Sequence, residues 1–221
     1  MTDFPFSVVV FDLDGTLADT APDLTAALNH ALTVMGRETV PEASVRHMVG
    51  HGARALLQKG LAATGAVTDA LVDEGFPIFI DHYRANIAAG SRPFPGLEAA
   101  LDQLSALDVK LAICTNKMES LSRELIAALG WEHRFAALVG GDTLPVRKPD
   151  PAPLFEAIAR AGGGRAAFIG DSITDTLTGQ NARIPTIAVT FGFSDRPHDQ
   201  LGADRLIDHY DELVEALQAI G

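Results

Sequence analysis

The chain has 221 residues, 47% of them hydrophobic, and its 29 acidic side chains outnumber the 17 basic ones to give a formal net charge of −12. The length fits one domain, or one domain with a large insertion, and the apolar content excludes a disordered chain. The acidic balance argues against nucleic acids and anionic membranes as partners, because such partners are bound through basic surfaces. The single cysteine cannot form an internal disulfide, and the N-terminal segment fits neither a signal peptide nor a membrane span. We therefore expect a cytoplasmic protein, either a monomer or a homodimer.

Short apolar runs along the chain predict a parallel sheet. Strands are expected at residues 7–11, 110–114, 166–169 and 186–189, with a weaker one at 137–140. Because these runs do not alternate with polar residues, helices should cover both faces of the sheet. Apolar residues at helical spacing predict such helices over about 22–35, 97–107, 121–129 and 211–220. Three strands end at polar clusters, DLDGT, TNK and GDS, and ligands bind at the carboxyl ends of parallel strands.

The spacing of these clusters predicts a second domain. The first cluster begins at Asp12 and the second at Thr115, roughly 100 residues later, whereas a βαβ unit needs about 30 residues. Residues 16–88 carry helical patterns and no clear strand. We therefore predict an α/β protein with a parallel-sheet core formed by residues 1–15 and 89–221 and an inserted helical cap at 16–88. One larger continuous domain is the alternative.

Four carboxylates in two of the clusters predict a metal site. Asp12 and Asp14 are two residues apart on extended backbone, so both side chains can face one site, and Asp171 and Asp175 follow a later strand. Carboxylates brought this close repel each other, and a divalent cation relieves the repulsion. Oxygen ligands without cysteine or histidine favour Mg²⁺. The alternative is that these residues only form an Asp-Gly turn and helix caps.

Three further polar residues favour a phosphate ligand. Thr115 and Asn116 end a strand and offer a hydroxyl and backbone N–H groups to phosphate oxygens. Lys148 is one of only four lysines and lies in a loop that prolines stiffen. A lone lysine is usually a solvated surface residue. The presence of the other polar clusters in the same sequence nevertheless favours a role for Lys148 in binding phosphate.

Four segments of the chain resemble the haloacid dehalogenase-like phosphatase superfamily: VVVFDLDGTLADT, LAICTNK, VGGDTLPVRKPDPAPL and FIGDSITD. The resemblance spans nearly the whole chain and implies a Rossmann-like core with a helical cap. Within the superfamily, FDLDGTLADTAPDL, HYRANIAAGSRPFPG and GGDTLPVRKPDPAPL are similar to phosphoglycolate phosphatases. The resemblance therefore implies a Mg²⁺-dependent hydrolase of a small phosphorylated metabolite, with 2-phosphoglycolate as the expected substrate.

The resemblance also implies roles in catalysis. Asp12 would attack phosphorus and form an aspartyl-phosphate, since a carboxylate is ionised at neutral pH. Asp14 would protonate the leaving oxygen and later deprotonate the attacking water. Thr115 and Lys148 would hold the transferred phosphoryl group, with Asn116 assisting.

For the metal, the resemblance implies that Mg²⁺ is held by the carboxylates of Asp12 and Asp171 and by the backbone carbonyl of Asp14. Ser172 and Asp175 would order the loop around it. One departure from the family pattern is visible downstream of these residues, where Arg183 stands in place of the usual glycine.

The predicted cap contains one further motif, GHGARA at residues 50–55, which satisfies a relaxed dinucleotide fingerprint. No convincing strand precedes it, so nucleotide binding is disfavoured. We interpret it instead as a cap loop that faces the active site, in which His51 or Arg54 could contact the substrate.

Other functions on the same residues remain open. A phosphatase or mutase for a sugar phosphate would use the same scaffold. A phospho-accepting signalling module also needs aspartate, threonine and lysine at an acidic Mg²⁺ pocket, but it lacks a large cap. A dehalogenase is disfavoured because its chemistry does without the acid that Asp14 supplies.

Overall fold

The computed structural model describes residues 4–194 and 196–221, and its strands form one six-stranded sheet and one two-stranded ribbon. The strands in chain order are β1 (Val8–Phe11), β2 (Ala18–Asp19), β3 (Arg92–Pro93), β4 (Lys110–Cys114), β5 (Ala137–Val139), β6 (Ala166–Gly170), β7 (Thr186–Val189) and β8 (Arg205–Ile207). The α-helices are α1 (Ala21–Val34), α2 (Glu42–Arg46), α3 (Ala53–Thr64), α4 (Asp69–Ala85), α5 (Leu97–Ala106), α6 (Glu119–Ala128), α7 (Ala152–Arg160), α8 (Ile173–Ala182) and α9 (Leu213–Ala219). Within the described ranges, no helix combines the length and the apolar character that crossing a membrane requires.

The larger sheet has the strand order β5-β4-β1-β6-β7-β8, and every neighbouring pair is parallel. Alternate residues of β1 pack into different layers, since side chains along a strand point to opposite faces. Val9 and Phe11 join a cluster that includes apolar residues of α5 and α9, whereas Val8 and Val10 join one that includes residues of α7. Helices therefore cover both faces of the sheet, and the predicted α/β fold class is confirmed.

Helices α1 to α4 lie between β2 and β3 in the chain and share a hydrophobic cluster of their own. Its fully buried members include Leu28 of α1, Leu57 of α3 and Phe79 of α4. Leu121 of α6 also joins the cluster, so these helices pack against the sheet-bearing part of the chain. This packing agrees with a helical insertion, while the boundaries at residues 16 and 88 stay a prediction.

The two ends of the helical segment are tied together by the β2–β3 ribbon, which the sequence patterns did not predict. The strands pair antiparallel, with Asp19 opposite Arg92. The buried carboxylate of Asp23 accepts hydrogen bonds from the backbone N–H groups of Gly90 and Ser91, at 2.7 and 2.8 Å, and from the Ser91 hydroxyl at 2.6 Å. The chain at Gly90 and Ser91 is thus anchored to the start of α1.

Helix α8 ends at Arg183, the residue that departs from the family pattern. Its φ of 57° and ψ of 41° place it in the left-handed region, which glycine adopts most easily at the end of a helix. The backbone N–H of Ile184 donates to the carbonyl of Gly179 at 2.9 Å, so the helix end keeps its closing hydrogen bond. Arg183 therefore adopts, at this helix end, the left-handed conformation that glycine commonly adopts there.

Candidate active site

The candidate site lies at the carboxyl edge of the parallel sheet. Asp12 directly follows β1, Thr115 follows β4 and Asp171 follows β6. Because β1 lies between β4 and β6, these three residues emerge side by side. Lys148, in the loop before α7, reaches the same place. The structure therefore brings together residues that the sequence places far apart.

Three buried carboxylates converge beside Lys148. Asp12, Asp171 and Asp175 each offer an oxygen, and these oxygens lie within 4.8 Å of one another. Nζ of Lys148 lies 2.9 Å from Oδ1 of Asp12 and donates to Oδ1 of Asp175 at 2.6 Å. Burial lowers the pKa of Lys148, but the charges of Asp12 and Asp175 outweigh it, so that pKa is raised and the lysine is a cation.

The cluster holds more negative charge than one lysine neutralises, and the pKa values of Asp12 and Asp171 are both raised. Burial raises the pKa of Asp12 to about 6, although Lys148 opposes the shift. Burial also raises the pKa of Asp171 well above its usual range, and the charges of Asp175 and Asp12 add to it. These are the shifts expected where neighbouring carboxylates lack a counter-charge.

The hydrogen bonds within the cluster distinguish its carboxylates. Asp175 is fully engaged, because its Oδ1 accepts from the Lys148 ammonium while its Oδ2 accepts from the backbone N–H and the hydroxyl of Ser172, at 3.1 and 2.6 Å. By contrast, Oδ1 of Asp12 is buried and its partner is the Lys148 ammonium, 2.9 Å away in an ion pair. A set of three buried carboxylates with a single lysine among them fits a hard divalent cation.

Asp171 is fixed by groups from two other segments. Its Oδ1 accepts from the hydroxyl of Thr16 at 3.0 Å, and its Oδ2 accepts from the backbone N–H of Phe193 at 2.6 Å. Gly15 has a φ of 85°, and a Cβ atom there would lie 2.3 Å from Oδ2 of Asp171. The glycine of DLDGT is thus required both by its backbone conformation and by the closeness of this carboxylate.

Asn116 connects the loop of Lys148 to the helical segment. Its Nδ2 donates to the carbonyls of Gly50 and Lys148, at 3.1 Å each, while its buried Oδ1 has no partner among the described residues. Next to it, the hydroxyl of Thr115 accepts from the backbone N–H of Lys117 at 3.2 Å. The predicted phosphate ligands therefore lie together, with Asn116 fixing the loop that carries Lys148.

A cavity opens between this cluster and the helical segment. Its empty volume is about 490 Å³, including the part that is open to solvent. The residues that line it are Asp12, Asp14, Leu24, Val49, Gly50, Gly52, Ala53, Leu56, Phe79, Tyr83, Thr115, Asn116, Lys117, Met118 and Leu121. Asp12 and Asp14 thus line the same cavity, together with side chains of the helical segment.

Lys117 is a site residue that the sequence analysis did not single out. Its Nζ donates to Oδ1 of Asp14 at 3.0 Å and to the hydroxyl oxygen of Tyr83 at 2.8 Å, and Asp14 also accepts from the hydroxyl of Thr20 at 2.8 Å. The signal available in the sequence was the position of Lys117 in the TNK cluster. Its contact with Tyr83 of α4 could not be foreseen, because no local sequence pattern connects these two residues.

The two predicted cap contacts are not brought to the cavity. The structure leaves His51 exposed, and neither His51 nor Arg54 is among the cavity-lining residues. Arg54 forms an ion pair with Asp73 at the surface instead. The loop itself does line the cavity at Gly50 and Gly52, and substrate contacts from the side chains of His51 and Arg54 stay a prediction.

The chain is similar over most of its length to proteins of one known family. The model of the haloacid dehalogenase-like hydrolase family matches residues 9–189. The chain is 46% identical to a phosphoglycolate phosphatase of Mesorhizobium japonicum, over 95% of this chain and 94% of that protein. It is 44% identical to a phosphoglycolate phosphatase of Caulobacter vibrioides, over 95% and 90% of the two chains. The crystal structure of a predicted phosphoglycolate phosphatase from Haemophilus somnus superimposes with a TM-score of 0.91 at 28% identity, covering 97% of this chain and 99% of that one.

Proposed function

The chain belongs to the haloacid dehalogenase-like hydrolase family, and we propose that it is a phosphatase that hydrolyses 2-phosphoglycolate with Asp12 as its nucleophile. The observation that carries the proposal is the meeting of Asp12, Lys148 and Asp171 in one buried cluster, of which Asp12 also lines the cavity. The names of the relatives at 46% and 44% identity support the choice of substrate.

In the first step, a carboxylate oxygen of Asp12 attacks phosphorus and the ester P–O bond breaks, which leaves an aspartyl-phosphate. The alkoxide that departs takes a proton from the carboxyl group of Asp14, which lines the same cavity. The Lys148 ammonium, 2.9 Å from Asp12, stabilises the negative charge that this step concentrates on the phosphoryl oxygens. Thr115 also lines the cavity, and its hydroxyl donates to a phosphoryl oxygen.

In the second step, water attacks the phosphorus of the aspartyl-phosphate and loses its proton to Asp14. The bond between the Asp12 oxygen and phosphorus breaks, so inorganic phosphate leaves and the carboxylate is restored. Asp175 touches neither the phosphate nor the leaving group in this scheme. It holds Lys148 in place and closes the loop through Ser172.

A divalent cation, which we propose to be Mg²⁺, would be held by the carboxylates of Asp12 and Asp171 and by the backbone carbonyl of Asp14. When bound, it would supply positive charge that orients and neutralises the phosphate. The fit of the site to a cation comes from its buried oxygens and from the charge that Lys148 leaves uncompensated.

A panel of phosphate monoesters, assayed for phosphate release with and without Mg²⁺, tests the proposal. We expect 2-phosphoglycolate to have the highest kcat/KM, and chelation of Mg²⁺ to abolish the activity. Turnover of sugar phosphates without turnover of 2-phosphoglycolate would reject this substrate. Stoichiometric labelling by a small phosphodonor without repeated phosphate release would favour a signalling module instead.

A further inference from the structure

Lys117 presents a charged group to the cavity at some distance from Lys148. Its side chain is only 5% exposed, and its ammonium contacts Asp14 at 3.0 Å and the hydroxyl oxygen of Tyr83 at 2.8 Å. A lysine ammonium is ordinarily charged at neutral pH, and its contact with the Asp14 carboxylate favours the charged form when the cavity is empty of substrate.

The two lysines face different parts of the site. Lys148 contacts Asp12, which would attack phosphorus, whereas Lys117 contacts Asp14, which would protonate the leaving oxygen. On the proposed function, Lys148 therefore lies on the phosphoryl side and Lys117 on the leaving-group side. Among the described residues that line the cavity, Lys117 is the one basic side chain.

The wall around Lys117 offers little else to a charged leaving group. It is largely apolar and is formed by Leu24, Val49, Ala53, Leu56, Phe79, Met118 and Leu121. A carboxylate that enters such a wall loses its hydration, which is costly unless a cation and hydrogen-bond donors replace the water. On the proposed function Asp14 is protonated when the substrate is bound, so the charge of Lys117 is then available to offset that of the entering carboxylate.

Tyr83 provides a donor beside the ammonium. Its hydroxyl oxygen accepts from Lys117, which leaves the O–H hydrogen free to be donated to a ligand. Burial raises the pKa of Tyr83 to about 12, so this hydrogen is kept at neutral pH. The Lys117 ammonium contacts Oδ1 and Oδ2 of Asp14, at 3.0 and 3.2 Å, besides Tyr83, so a further anion would take the place of the longer Asp14 contact.

We propose that Lys117, assisted by the Tyr83 hydroxyl, binds the carboxylate of the substrate's leaving group and thereby selects phosphate esters of short hydroxy acids over esters of neutral alcohols. This inference rests on the proposed phosphatase function and assigns the residues that give it specificity. Because Tyr83 belongs to α4, the helical segment contributes directly to the choice of substrate.

The test compares two esters of equal length, 2-phosphoglycolate and 2-hydroxyethyl phosphate, which carries a neutral hydroxyl in place of the carboxylate. For the unmodified enzyme we expect a higher kcat/KM on 2-phosphoglycolate. In Lys117→Met, the ratio of the two kcat/KM values should fall about 10- to 100-fold, the range for a buried hydrogen bond to a charged group. Lys117→Arg should restore part of the ratio because it keeps the charge.

An equal loss on both esters would overturn the inference, since Lys117 would then act only on Asp14. Inhibition by glycolate gives a second readout: Lys117→Met should weaken it, while inhibition by inorganic phosphate should persist. If Lys117→Met does not fold, Tyr83→Phe decides, because it removes only the hydroxyl. It should lower the same ratio, and an unchanged ratio would overturn the inference. An unmodified enzyme that hydrolyses neither ester would instead reject the proposed function itself.

Discussion

Nζ of Lys148 lies 2.9 Å from Oδ1 of Asp12, so the residue proposed as nucleophile is paired with a cation at the carboxyl end of the central strand. Both side chains are buried, and burial raises the pKa of Asp12 to about 6 even with Lys148 opposing the shift. An attacking carboxylate has to be ionised. The ion pair is therefore one of the features that keep Asp12 reactive at neutral pH.

Replacement of the proposed nucleophile should separate activity from folding. Asp12→Asn keeps the size of the side chain but removes its charge, so we expect phosphate release to fall by roughly 10³-fold or more. The protein should stay folded, because the substitution neutralises one of three carboxylates that repel each other. Steady-state phosphate release and circular dichroism measure the two effects.

Asp108→Asn is the matched control for this substitution. Asp108 is exposed and has a φ of 61°, a conformation that asparagine tolerates well. Its activity should equal that of the unmodified enzyme. Substantial turnover by Asp12→Asn, with the control unchanged, would contradict the role of Asp12.

Metal binding should be visible in stability as well as in activity. A cation that binds only the folded protein stabilises it by about 2.7 kcal/mol at 100 times its Kd, so Mg²⁺ should raise the Tm. Asp171→Asn replaces an oxygen of the cluster by an amide nitrogen, which cannot accept from Thr16 or Phe193 and cannot bind a cation.

We therefore expect Asp171→Asn to shift the Mg²⁺ dependence of activity to higher concentration and to reduce the rise in Tm. Thermal unfolding and activity, each measured over a Mg²⁺ titration, check this. Titration curves that match those of the unmodified enzyme would show that Asp171 is not a ligand.

The sheet and the meeting of the clusters could be predicted because they depend on local patterns. The apolar runs that became β1, β4, β6 and β7 are buried on both faces, and a parallel sheet brings their carboxyl ends to one edge. The strand β8 was missed since two of its three residues are exposed and it carries no apolar run. The β2–β3 ribbon was missed because each strand has only two residues.

The wall of the cavity could not be predicted from local patterns. Lys117 and Tyr83 meet because α4 packs over the end of β4, and no periodicity encodes this contact. His51 and Arg54 were predicted to face the substrate by residue type alone. The backbone turns at Gly50 and Gly52, which have φ values of 105° and 87°, bring main-chain atoms to the cavity.

The glycine of DLDGT offers a test of how tightly the carboxylate cluster is packed. Gly15 and Gly36 have similar φ values, 85° and 70°, so alanine strains the backbone at both positions by about 1–2 kcal/mol. A Cβ atom at residue 15 would also overlap Asp171 and the Phe193 ring, whereas one at residue 36 would meet nothing within 4 Å.

We expect Gly36→Ala to lower the Tm slightly and to leave activity intact. Gly15→Ala should lower the Tm further and impair both activity and Mg²⁺ binding, because Asp171 has to move. Equal effects of the two substitutions would mean that the contact between Gly15 and Asp171 places no constraint on the site.

The helix end at Arg183 should be a position where the protein can be stabilised. Arg183 is exposed and adopts the left-handed conformation, which costs a residue with a Cβ atom more than it costs glycine. Arg183→Gly removes this strain but adds freedom to the unfolded chain, so we expect a net gain of about 0.5 kcal/mol in the free energy of unfolding. Arg183→Asn should gain less and Arg183→Ala should gain nothing, because alanine keeps the strained Cβ. Thermal unfolding of the four proteins under identical conditions checks this order. A lower Tm for Arg183→Gly than for Arg183→Ala would show that the added freedom of the unfolded chain outweighs the strain that glycine relieves.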